Sequence, residues 1–138
     1  MITQKYLNEL THTIIGAAIE VHKELGPGLL ESIYERCMAH LLLEKGLHLV
    51  SQQRVPLYFR GLYLDCELRF DLLVENLIVV EIKAADGLLP VHEAQLLTYM
   101  KLLEKPKGIL FNFNCTNIFR EGQKTMVNEL YAQMPPGL

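Results

Sequence analysis

Three charged side chains stand where charge is costly. Asp71 precedes Glu81 by ten residues, and Glu81 and Lys83 close the run Leu77-Ile78-Val79-Val80-Glu81-Ile82-Lys83, which is otherwise apolar. Alternate residues of a strand share a face, so Glu81 and Lys83 lie side by side. A strand apolar on both faces is covered on both sides, and charges buried there need partners. Between Asp71 and Glu81 lies the turn Glu75-Asn76. A three-residue loop through Leu77 pairs 74 with 78 and therefore 71 with 81, which brings the two acids opposite each other with Cβ atoms roughly 5 Å apart. A two-residue loop would send them to opposite faces. Two carboxylates that close repel, and burying both without a cation is expensive. A divalent metal resolves the conflict. Oxygen ligands with no thiolate and no histidine cluster select Mg2+ or Mn2+ over zinc. Lys83, one pleat further on, could hold a phosphate oxygen or help orient a water. The competing reading is a surface trio joined in a salt bridge, against which stands the Val and Ile company of Glu81.

The elements that must position these residues follow from periodicity. Residues 11–25 carry Ile14, Ile15, Ala18, Ile19, His22 and Leu25 at helical steps, and Gly26-Pro27-Gly28 ends that helix sharply. A second helix is predicted over 29–45, burying Ile33, Tyr34, Cys37, Met38, Leu41 and Leu42, with Gly46 as its stop. Strand-like runs follow at 55–59, 62–74 and 77–83, joined by turns at Arg60-Gly61 and Glu75-Asn76, which predicts an antiparallel meander. A third amphipathic helix over 91–103 leads to a strand over 109–113, and 124–127 adds an edge strand. Strand, crossover helix and strand imply one parallel pairing, so the fold class is α/β (α+β): a mixed sheet flanked by helices. His22 lies on the apolar stripe of the first helix and reads as a core or supporting histidine rather than a ligand.

A chain of 138 residues, half of them hydrophobic and 21% charged, has enough apolar surface for one core without metal or disulfide staples. A single domain over 1–138 is expected. Cys37, Cys66 and Cys115 are odd in number and far apart, which speaks for a reducing, cytoplasmic setting and against a thiolate zinc site. The apolar stretch at 14–19 is too short for a signal peptide or membrane span. A formal net charge of −3 weighs against a protein that coats nucleic acid by bulk charge, though not against one with a local site.

Taken together, Asp71, the Glu81-x-Lys83 pair and Gln95-Leu96-Leu97-Thr98-Tyr99 on the third helix resemble the signature of the PD-(D/E)XK nuclease superfamily. Gly28-Leu29-Leu30-Glu31-Ser32-Ile33-Tyr34 resembles the motif that names its GxxExxY branch, and the resemblance runs from about Ile14 to Asn114. Phe70 stands where the superfamily often has proline, with the acid itself in place. The resemblance implies a restriction-endonuclease-like core, with Asp71 and Glu81 as metal ligands and Lys83 as the catalytic lysine. It implies Glu31 as a further acid of the metal shell, a position that a helix N-terminus favours. It also implies Gln95 at the metal water or the nucleic-acid backbone, with Tyr99 supporting it. Tyr34 and Tyr99 read equally as core aromatics with a hydrogen-bonded hydroxyl. His92, Gln95 and Tyr99 share one helical face.

The activity implied is metal-dependent hydrolysis of DNA phosphodiester bonds, leaving a 5′-phosphate and a 3′-hydroxyl. So small a domain has no separate reading module, and a second copy or a helper protein would choose its DNA. Two rivals come from other classes: a nuclease-fold binding module that cuts nothing, and a hydrolase of a small phosphoester, which low basicity suits. The intact acidic pair and lysine speak against the binding module. The missing basic patch speaks for it.

Overall fold

The computed structural model describes residues 1–65 and 68–138 of the chain, so Cys66 lies outside the described residues. Helix α1 (Gln4–Leu25) is followed by α2 (Glu31–Glu44) and by strands β1 (Leu49–Ser51), β2 (Leu57–Phe59), β3 (Leu62–Leu64), β4 (Leu72–Val74) and β5 (Ile78–Lys83). Then come α3 (Pro90–Leu103), β6 (Lys107–Asn112), α4 (Ile118–Glu121), β7 (Gln123–Val127) and α5 (Glu129–Ala132). Five strands form one sheet in the order β1-β4-β5-β6-β7, with β5 and β6 parallel and the other neighbours antiparallel. This is the mixed sheet that the crossover helix predicts, in a restriction-endonuclease-like arrangement.

Alternation along β5 divides the core in two. Ile78, Val80 and Ile82 pack with α1 and α2 through Ile14, Ala18, Tyr34, Met38 and Leu42, and Phe111 and Phe113 join the same cluster. Val79 and Leu110 meet α3 through Leu96, Tyr99 and Met100. Helix α3 lies close on β6 because residue 108 is glycine: a Cβ there would stand 2.7 Å from Leu96 and 2.8 Å from Met100. Among the described residues no helix is long and apolar enough to cross a membrane.

Several boundaries differ from the sequence reading. Helix α1 starts two turns early, at Gln4, because Thr3 caps it by accepting from the Tyr6 N–H at 3.1 Å and Leu7 and Leu10 extend the buried stripe. The expected single strand over 62–74 is two strands in different sheets. Among the described residues β3 pairs with β2 alone, as a separate hairpin through the Arg60-Gly61 turn, while β4 pairs with β1 and β5. The period-2 pattern runs through both halves, which hides the break. The polar connection after β6 contains α4, capped by Asn117, and the tail contains α5, capped by Asn128.

Candidate active site

The β4–β5 turn decides whether the acids meet. Glu75 and Asn76 both adopt left-handed backbone, at φ 53° and 57°, and the Leu77 N–H closes the turn on the Val74 carbonyl at 3.0 Å. Val74 pairs with Ile78 and Leu72 with Val80, the register of the longer loop. Continued by one residue, that register sets Asp71 opposite Glu81. The Ile82 N–H donates to Asp71 Oδ2 at 2.7 Å, which fixes the Asp71 carboxylate against β5.

Glu81 is 2% exposed, and its Oε1 is buried with no hydrogen-bond partner among the described residues. Burial, and after it the neighbouring Asp71 carboxylate, pushes the Glu81 carboxyl up to about 10; Lys83 works in the opposite direction. Without a cation, Glu81 holds its proton at neutral pH and shares a hydrogen bond with Asp71. A buried, orphaned carboxylate oxygen beside a second carboxylate suits a hard, oxygen-seeking cation.

Lys83 is only half-buried, at the end of β5, and its Nζ donates to Gln95 Oε1 at 3.4 Å. Gln95 Nε2 in turn donates to the Tyr99 hydroxyl at 3.2 Å. Residues four apart on α3 thus form a short chain that ends on the lysine. His92 leaves this group: its Nδ1 accepts from the Leu89 N–H at 3.0 Å and caps α3.

Glu31 takes the first position of α2 and is exposed. The expected trio of Glu31, Asp71 and Glu81 does not form, and among the described residues no three His, Cys, Asp or Glu side chains gather closely enough to hold one ion. The α2 acid that reaches toward Asp71 is Glu35, one turn on. Gln52 Nε2 bridges them, donating to Glu35 Oε1 and Oε2 at 2.8 and 3.0 Å and to Asp71 Oδ1 at 3.2 Å. Burial raises the Glu35 carboxyl, the Gln52 hydrogen bond lowers it, and the charges of Asp71 and Glu31 raise it further. The helical step from Glu31 to Glu35 was a signal the sequence offered; Gln52 gave none.

Tyr34 and His22 support the scaffold. The Tyr34 hydroxyl donates to the Gly26 carbonyl at 2.6 Å and accepts from the Leu29 N–H at 3.1 Å, pinning the Gly26-Pro27-Gly28 turn, where Gly28 sits at φ 101°. Its ring stacks on Phe113 with centroids 4.4 Å apart. His22 is buried, with Nε2 2.9 Å from the Cys115 carbonyl oxygen.

A five-stranded mixed sheet between helices, with an acid pair and a lysine at the carboxyl end of its central strand, is the architecture of a restriction-endonuclease-like α/β domain. A family model described as the PD-(D/E)XK nuclease superfamily matches residues 8–126, and the chain belongs to that superfamily. No curated protein and no solved structure matches the chain.

Proposed function

We propose that this chain, over residues 1–138, is a single nuclease-like domain of the GxxExxY branch that hydrolyses DNA phosphodiester bonds with Mg2+ or Mn2+. The observation that carries the reading is Glu81: a buried acid with an unpartnered oxygen, beside Asp71, on the strand that ends in Lys83. Asp71 and Glu81 would hold the cation. When bound, such an ion polarises a phosphoryl oxygen and makes a water a better nucleophile at neutral pH. On holding the ion, Glu81 would release its proton to solvent. The Ile82 N–H holds Asp71 in place, and Gln95, itself held by Tyr99, keeps the Lys83 ammonium aimed where negative charge grows on the phosphate. Helix and strand carry every one of these groups except Asp71, which the β4–β5 register sets. The free thiols of Cys37 and Cys115 suit the reducing cytoplasm. A second copy or a partner protein supplies the choice of DNA.

The test is Mn2+ titration by calorimetry on the wild type and on Asp71→Ala, with and without a DNA fragment, followed by incubation with linear, circular and branched DNA. Binding and cleavage by the wild type alone support the reading. Absence of Mn2+ binding in the wild type under both conditions overturns it in favour of a binding module.

A further inference from the structure

Gln52 has an unusual backbone for its place. Five non-glycine residues among those described have left-handed φ; Arg60, Glu75 and Asn76 lie in hairpin turns and Glu104 caps α3. Gln52, at φ 52°, lies inside a ladder instead, between the pairs Ser51 with Leu72 and Arg54 with Arg69. A bulky residue held there is strained, and strain of this kind marks a position whose side chain is being aimed. The Gln52 main-chain N–H donates to the Asp71 carbonyl at 3.0 Å, and the side-chain amide reaches the Asp71 and Glu35 carboxylates.

The amide cannot face the other way, because ionised carboxylates only accept. Two hydrogens on Nε2 serve three carboxylate oxygens. Asp71 is therefore clamped from both sides, Oδ2 by the Ile82 N–H and Oδ1 by Gln52, while the Glu81 Oε1 beside it is buried and open. Such outer hydrogen bonds orient the ligands and tune the ion.

We propose that Gln52 is the positioning residue of the cation site: it clamps Asp71 and couples it to Glu35, which makes Glu35, rather than Glu31, the outer acid that the ion feels. The proposal rests on the reading of Asp71 and Glu81 as cation ligands, and its test separates the two.

Gln52→Lys and Gln52→Glu keep an unbranched side chain at the same backbone position and change the charge in opposite senses. Mn2+ affinity is read by calorimetry and by the electron paramagnetic resonance spectrum of the bound ion, and apo stability by thermal melting in EDTA. An ammonium between the acids raises the apo melting temperature and weakens Mn2+ binding about tenfold; a third carboxylate, which cannot donate to Asp71 or Glu35, lowers the apo melting temperature and broadens the spectrum of the bound ion. Glu35→Gln weakens Mn2+ binding more than Glu31→Gln. A merely structural Gln52 gives lower melting temperatures in both variants with unchanged Mn2+ affinity and spectrum, which overturns the proposal alone. So does a larger loss in Glu31→Gln than in Glu35→Gln. A wild type that binds no Mn2+ overturns the ligand reading and this inference with it.

Discussion

Replacing Glu81 by glutamine keeps the shape of the side chain and removes its titration. In the apo protein the Glu81 carboxyl is raised from 4.5 to about 10, so the folded state holds a proton that the unfolded chain releases near pH 4.5. Stability from this group is fully present below the unfolded value and is lost as pH rises toward the folded one. One proton is worth about 1.4 kcal/mol per pH unit, so the apo wild type loses about 2–3 kcal/mol between pH 6 and pH 8 from Glu81 alone. Glu81→Gln has no such slope. Urea denaturation of both proteins in EDTA across pH 5–9 should give curves that diverge as pH rises, with the variant the more stable at pH 8. Mn2+ should restore the wild type at alkaline pH and do little for the variant, and calorimetry in buffers of different ionisation enthalpy should register a proton released on binding. Parallel curves, with a constant gap at every pH, would refute the assignment of a buried neutral acid.

Lys83→Ala should leave Mn2+ affinity near the wild-type value and lower single-turnover DNA cleavage by about 10²–10³, since an ammonium stabilises developing charge without holding the cation. Tyr34→Phe removes both hydrogen bonds that pin the turn before α2 and should cost about 1–3 kcal/mol in chemical denaturation. Gly108→Ala drives a methyl into Leu96 and Met100 and should cost about 1–3 kcal/mol, read as a lower urea midpoint. Lys107 is buried against Asn8, at 2.8 Å, and over the Tyr131 ring, and burial lowers it from 10.5. The lowered value makes stability rise with pH as the folded-state lysine loses its proton before the unfolded one does; in Lys107→Met the alkaline rise should vanish from the melting profile.

The layout of the sheet is readable from the sequence because its determinants are local. The apolar run of β5, the helical spacing on α3 and the glycine-proline break before α2 each act within a few residues. The meeting of Asp71 and Glu81 is legible for the same reason: a loop length sets a register, and a register sets a face. The relation of α2 to the site is not local. Which α2 acid faces Asp71 depends on how α2 rotates over the sheet, and it is Glu35, one turn past the motif acid Glu31, that Gln52 bridges to Asp71. Gln52 is hidden more deeply still, since nothing in its neighbours announces a left-handed backbone between two extended residues. The division of 62–74 into two strands escapes because hydrophobic alternation records which face a residue takes, not which sheet it joins.

Glu81 lies on β5, and its burial depends on a strand that the ribosome has yet to make when Glu81 emerges. Leu110 of β6 pairs beside it, and β6 is reached only through the whole of α3. Until then β5 has a neighbour on its β4 side only, and Glu81 is an ordinary carboxylate in water, with the ordinary preference for being ionised. Domains of this kind complete their long-range pairings late, and parallel strands later than hairpins. The hairpin that places Asp71 beside Glu81 can therefore close during synthesis while the chemistry of the site stays unformed. A chain stalled before β6 carries the motif without its environment, so the burial that sets Glu81 apart from an ordinary surface acid arrives together with the finished sheet.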